Sequence, residues 1–198
     1  MFALVEDGKI TQMPKGNKGI QIGDLKYPAS IFSLWTETER NAIGVYTVEI
    51  DNTNKKDDEW YVNTEITYSF GSGKVTGTYG TATAKAIEDT DAVDNEGNKL
   101  KDENGNQIIN EGLKTIKKRI IDNECAGLLA PSDWMVIKAT ETGTTMDSGW
   151  KTWRASVRTK CNSMQTQIDN ASDVDALAAL YERNDSGVRP LGDFPIKE

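Results

Sequence analysis

Proton transfer and metal binding at neutral pH most often use histidine, and this chain of 198 residues contains none. Ser-His-Asp and Cys-His nucleophile systems are therefore excluded, and so is every zinc site that needs an imidazole. Chemistry would fall to carboxylates, lysine, tyrosine or a thiol. The 31 Asp and Glu side chains make a glycosidase-like carboxylate pair conceivable. Nearly all of them, however, sit in segments that read as loops, caps or polar helix faces. Cys125 and Cys161 occupy apolar helical positions, where a thiol behaves as a small hydrophobe with no activating base beside it. The chain has no phosphate-binding loop, no G-x-G-x-x-G after a strand and no C-x-x-C pair. The expectation is binding without catalysis: no catalytic residue, no cofactor and no metal.

The tryptophans are the more telling residues. Trp35, Trp60, Trp134, Trp150 and Trp153 are many for a chain that is 37% hydrophobic with a mean hydropathy of −0.57. Large aromatics anchor cores and also dominate protein interfaces. Trp60 and Trp153 lie on patterned faces and read as core. Trp134 follows Pro131-Ser132-Asp133 in what reads as a turn, and two placements stay open for it: against a helix over 150–168, or against a partner chain.

The elements that must position these residues divide the chain in two. Residues 1–112 carry 11 basic and 19 acidic side chains, and residues 113–198 carry 12 of each, so the first part holds the whole net charge of −8. Thr, Val, Tyr and Gly dominate early, Leu, Ala, Ile, Lys and Arg late. The predicted fold is α+β, a β-rich antiparallel N-terminal module (1–87) and a small antiparallel helical C-terminal module (113–198). Between them, 88–112 reads as an acidic Asn/Gly hairpin or linker.

In the first module, Phe2–Val5 and Lys9–Met13 flank Glu6-Asp7-Gly8 as a hairpin, since Asp-Gly accepts the positive φ of tight turns. A Gly- and Lys-containing loop runs on to Tyr27-Pro28. Thr36-Glu-Thr-Glu39 is a capping box that opens a short helix, which Gly44 ends. Val45–Ile50 reads as a strand. Trp60, Val62, Ile66, Tyr68 and Phe70 share one parity and predict a strand over 60–70, turned by Gly71-Ser-Gly73 into Lys74–Tyr79 as a meander.

Asp94-Asn-Glu-Gly-Asn-Lys-Leu100 is echoed by Asp102-Glu-Asn-Gly-Asn-Gln-Ile108. Neither copy has the ligand pattern of an EF-hand loop, and both read as Asn/Gly turns. Leu113, Ile116, Ile120, Ile121, Cys125 and Leu128 then form a helical stripe, with Lys114, Lys117, Lys118 and Arg119 mostly on a solvated face. Trp150, Trp153, Val157, Cys161, Met164 and Ile168 follow at spacings of 3, 4, 4, 3 and 4, an a/d seam, with Lys151, Arg154, Arg158 and Lys160 on other faces. Ser172-Asp-Val-Asp175 begins a further helix with Val174, Leu177 and Tyr181 as its stripe, and a non-helical tail closes the chain.

A pI near 4.7 argues against nucleic acid and against anionic lipid as partners. No apolar run reaches the ~20 residues of a bilayer span. The opening residues lack the basic and apolar regions of a signal peptide, and two cysteines are too few for a disulfide scaffold, so a reducing cytoplasm is the expected place of synthesis.

The run Arg119-Ile-Ile-Asp-Asn-Glu-Cys-Ala-Gly-Leu-Leu129, then Ala-Pro-Ser-Asp133-Trp134, then Trp150-Lys-Thr-Trp-Arg154-Ala-Ser-Val-Arg158, resembles an element of tailed-bacteriophage virion proteins. The pattern is a helix ending in Leu-Leu, then x-x-x-Asp-Trp, then W-x-x-[YW]-R, as in tail-fibre assembly (chaperone or cap) proteins. The opening Met-Phe-Ala-Leu-Val-x-x-Gly hairpin, Tyr27-Pro28-Ala29 and Ala42-Ile-Gly-Val-Tyr46 are similar in style. The acidic segment at 88–104 and the length beyond 168 depart from the family.

The resemblance implies a protein of the virion, made in the host cytoplasm, that assembles, caps or connects a fibre as a hetero-oligomer. Its partner would be another tail protein, a trimeric fibre or baseplate subunit, met through Trp134, Trp150, Trp153, Arg154 and Arg158. Two alternatives stand beside it. One is a permanent architectural subunit such as a neck, hinge or baseplate adaptor; the other is a carboxylate glycan hydrolase, which would need acids converging in a cleft.

Overall fold

The computed structural model describes residues 1–197, and the chain divides into two compact units at Thr83/Ala84. The α+β expectation holds: the first unit is β-rich and mainly antiparallel, and the second is dominated by helices.

In the first unit β1 (Phe2–Glu6) and β2 (Lys9–Gln12) form the expected hairpin, with Asp7 and Gly8 both at positive φ, 51° and 74°. Two positive φ values match the right-handed twist of the flanking strands. The loop expected up to Tyr27 contains a second small hairpin, β3 (Ile20–Ile22) and β4 (Leu25–Tyr27), turning at Gly23-Asp24. After α1 (Ile31–Leu34) comes α2 (Glu37–Ala42), opened by the Thr36/Glu39 capping box with both of its reciprocal bonds made. Next come β5 (Val45–Asp51), β6 (Tyr61–Val62), β7 (Ile66–Gly71) and β8 (Lys74–Tyr79).

Five strands join in the order β2-β1-β5-β8-β7. Three of the neighbour pairs are antiparallel, among them β7 and β8, which turn through Gly71-Ser-Gly73 as expected; β5 and β8 run parallel, with Val48 opposite Val75 and Ile50 opposite Gly77, so the module is not antiparallel throughout. Successive side chains of a strand point to opposite faces. Leu4 and Val45 accordingly pack with Ile20, Ile31 and Phe32 on one side, and Ala3, Val48 and Val75 pack on the other. The strand expected over 60–70 is interrupted at 63–65. There the Asn63 side chain brackets the Lys56 backbone, donating to its carbonyl at 2.7 Å and accepting from its N–H at 2.8 Å. Thr64 Oγ1 accepts from the Gly80 N–H at 2.7 Å.

The second unit begins beside β9 (Thr83–Ala84), which straddles the boundary. It continues with β10 (Thr90–Asp91), antiparallel to β11 (Ile109–Asn110), so residues 88–112 belong to the same unit as the helices. The helix α3 (Leu113–Leu129) is tied to this segment by Leu113 N–H to the Ala86 carbonyl at 2.9 Å. Asp89 accepts from the Gly112 N–H at 2.7 Å. A short 3-10 turn (Ala130–Ser132) leads into α4 (Asp133–Thr142), and then come α5 (Ser148–Asp169) and α6 (Val174–Ala179).

Buried Ile121 and Cys125 of α3, and Val157, Cys161, Met164 and Ile168 of α5, form the apolar sides of the packed α3/α5 pair. Polar ties cross it as well, among them Lys118 to Asp169 at 2.7 Å, Gln165 to Asp122 and Arg154 to the Leu129 carbonyl at 2.8 Å. Lys117 is buried rather than solvated, with its ammonium 4.7 Å from the Tyr181 ring centre, while Ile120 and Leu128 of the expected stripe are exposed. Residues 180–197 stay non-helical, with Leu191 fully buried.

Candidate functional site

The five residues singled out by sequence lie around α4 and the first half of α5, but not in one role. Pro131 falls in the first turn of the 3-10 segment, where its missing N–H has no partner to lose. The chain then continues from Asp133 into α4 instead of turning away. Gly143, at φ 66°, closes α4 in the left-handed conformation that glycine adopts without penalty. Asp147 accepts from the Trp150 N–H at 3.0 Å and caps α5.

Trp134 is therefore helical, not in a turn, and it is 55% exposed. It lines a hollow of about 370 Å³ with Met135, Met146 and Trp150, and Lys138 places its ammonium 5.9 Å from the Trp134 ring centre. Trp150 is half-buried and meets Trp153 edge to face, with centroids 5.5 Å apart and planes at 89°. Trp153 donates its indole N–H to the Pro195 carbonyl at 3.0 Å, which pins the tail across this end of α5. Lys197 lies 5.3 Å from the Trp150 ring centre.

Arg154 corrects the expected seam. It is 4% exposed and belongs with Val157, Cys161, Met164 and Ile168, at spacings of 3, 4, 3 and 4, while half-buried Trp150 and Trp153 sit at the margin. Its guanidinium donates to the Leu129 carbonyl at 2.8 Å, to the buried Ser132 hydroxyl and to the Asp133 carboxylate at 2.6 Å. A fork of planar donors satisfies three acceptors where α3 ends and α4 begins. Arg154 thus orients α4 against α5, while Arg158 is exposed along the groove between them.

Sequence reasoning missed α4 itself. None of its ten residues is buried; Ile137, 58% exposed, stands one turn from Trp134 on the same side, while Val136, 42% exposed, lies on the opposite side, along α5. The signal was present as Ser132-Asp133 before Trp-Met-Val-Ile and Gly143 one turn past the last apolar residue. A groove of about 410 Å³ runs between α4 and α5, floored by Val136, Ala139 and Met146 and edged by Lys151, Arg154 and Arg158.

The remaining chemistry-bearing groups are committed elsewhere. Cys125 and Cys161 face one another as free, buried thiols. Burial first, then Cys125 and Asp122, push the Cys161 thiol up to about 12, so it stays protonated and inert at neutral pH. In the echoed acidic turns, Asp94 accepts from the Asn98 and Glu96 N–H groups and Asp102 from those of Asn106 and Asn104, each at 2.8–2.9 Å. The Asn106 side-chain amide first and its N–H next at Asp102, and the Asn98 N–H first and its side-chain amide next at Asp94, hold both carboxyls below the ordinary Asp range, and the bonds close the turns, with Gly97 and Gly105 at φ 85° and 82°. Among the described residues no group of three or more Cys, Asp or Glu is gathered in metal-ligand fashion, and no helix is long and apolar enough to cross a membrane. No family model matches the chain, and no curated protein or solved structure matches it either.

Proposed function

We propose that the chain is a tail or tail-fibre associated protein of a tailed bacteriophage that assembles, caps or connects a fibre by protein–protein binding, without catalysis. The observation that carries the binding part is α4. Ten-residue helices are marginal in water, and helices in proteins owe most of their stability to an apolar face packed on something. This one buries no residue and displays Trp134 and Ile137, one turn apart, on one face. A partner laid on that face would bury the kind of aromatic anchor that dominates interfaces. The phage assignment rests on the resemblance of residues 119–158 and on the fit between a small acidic adaptor and exposed apolar fibre ends, which aggregate unless covered.

Co-expression of the full chain with a tail-fibre subunit of the same genome tests the proposal. The expected result is a complex that survives purification and is lost in Trp134→Ala/Ile137→Ala. Failure to form a complex, together with fibre solubility that does not depend on this protein, would overturn it. Mass spectrometry of purified particles then separates a released chaperone, absent from them, from a permanent architectural subunit.

A further inference from the structure

The groove between α4 and α5 carries a charge pattern that the apolar face of α4 does not explain. Lys151, Arg154 and Arg158 recur at spacings of three and four, so they share one side of α5. Among the described residues they are the charged ones that line the groove, and no carboxylate is in its walls. Arg154 spends its donors on Leu129, Ser132 and Asp133. Among the described residues Lys151 and Arg158 have no hydrogen-bond or ion-pair partner, and both are exposed. They stand seven residues apart, about 10 Å along the helix axis at 1.5 Å per residue. Two unpaired cations thus flank a floor of Val136, Ala139 and Met146, in a chain whose net charge is −8.

We infer that this groove receives an acidic amphipathic helix of a partner protein, an inference that rests on the docking reading of α4. Apolar side chains at helical spacing enter between Val136, Ala139 and Met146, and carboxylates about two turns apart meet Lys151 and Arg158. A helix laid in a groove reads out as anchors at i, i+3 or i+4, and i+7, which is the spacing of the two cations. The overall charge argues for a short anionic segment over a polyanion. Nucleic acid would be repelled by the protein as a whole, and phosphate contacts need a broader field of Lys and Arg than two side chains. The low-lying apolar floor also has no role in holding a phosphate backbone.

A displayed library of random dodecapeptides, panned on the immobilised full chain and in parallel on Lys151→Glu/Arg158→Glu, tests the inference. Both side chains are exposed and unpaired, so the double variant is expected to keep its circular dichroism spectrum. Lys151→Gln/Arg158→Gln serves as a milder second variant should the reversal disturb folding. The expected clones carry two or more Asp or Glu residues among apolar residues at helical spacing. The synthetic peptides then bind the charge-reversed chain at least tenfold more weakly than the native chain, and the Gln variant in between. Clones without acidic enrichment, binding that ignores both substitutions, or no clone above background would each overturn the inference. So would sedimentation showing that the chain itself dimerises through this groove. Co-purification with the fibre subunit that is lost in Trp134→Ala/Ile137→Ala but unaffected by the charge reversal would leave the docking proposal standing and remove this one.

Discussion

Arg154 offers the sharpest perturbation, because its three acceptors lie at the single junction that orients α4. In Arg154→Ala the two interior acceptors, the Leu129 carbonyl and the Ser132 hydroxyl, lose a charged donor. Hydrogen bonds to charged groups contribute about 1.5–3 kcal/mol each. The loss is partial, since Ser132 Oγ still donates to the Leu129 carbonyl at 2.8 Å, and removing a guanidinium also removes its desolvation penalty. The Asp133 carboxylate is 56% exposed and becomes hydrated, so that pair adds about 0–1 kcal/mol. The net expectation is a destabilisation of about 2–3 kcal/mol. Arg154→Lys, which keeps the charge but not the planar fork, should recover about half of it.

Urea unfolding followed by helical circular dichroism reads the loss, since the long helices all lie in the second unit. Amide exchange over 129–142 should quicken by up to about a hundredfold, at tenfold per 1.4 kcal/mol. A midpoint shift equivalent to less than about 0.5 kcal/mol, with unchanged exchange in α4, would refute the reasoning.

Other expectations follow from single features. Gly112→Ala should destabilise the second unit by about 1–3 kcal/mol, read by the same urea titration, because an added Cβ would lie 2.3 Å from the Glu88 carbonyl carbon. An unchanged midpoint would mean that residues 84–112 do not pack on the start of α3. The Cys161 thiol is raised from 9.0 to about 12, so the unfolded chain loses its proton first as pH rises. Its contribution is complete below pH 9 and should then fall by at most about 1.4 kcal/mol per pH unit toward 12, an effect that Cys161→Ala removes. Asp173 accepts from the Ala176 N–H at 2.8 Å, and Asp173→Ala should cost about 1 kcal/mol by losing the α6 cap. This carboxyl is held below the ordinary range by that bond and by Ser172, so its contribution is present above the unfolded Asp pKa and disappears as pH falls through the folded one. Trp134→Ala should leave the urea midpoint within about 0.5 kcal/mol of native while abolishing partner binding, because its ring is largely outside the fold.

Local signals in the sequence are legible where one interaction decides the geometry. Asp7-Gly8, the Thr36/Glu39 box, the turns at Gly97 and Gly105 and the cap of α6 each depend on residues a few positions apart. Pairing across the chain was not legible in this way. The parallel alignment of β5 with β8 is a long-range event, and the break at 63–65 is made by Asn63 reaching back to Lys56 and Thr64 reaching Gly80. At the candidate site the helical period of α5 was correct, but residue type misled. Two tryptophans were placed on the seam and Arg154 off it, whereas the guanidinium is interior because three acceptors wait for it. Pro131-Ser132-Asp133 reads as a turn, but a proline also suits a first helical turn, and α4 with its exposed Val136 and Ile137 begins there.

The central claim is that α4 is a docking face, and photo-crosslinking from that face addresses it most directly. A photoreactive amino acid placed at Trp134 in the full chain, co-expressed with the proposed partner, a tail-fibre subunit, should give one covalent adduct with it. The same group at Leu34, an exposed position of the first unit, should give none. Equal adducts from both positions, or none from 134 in a complex that nonetheless forms, would contradict the account.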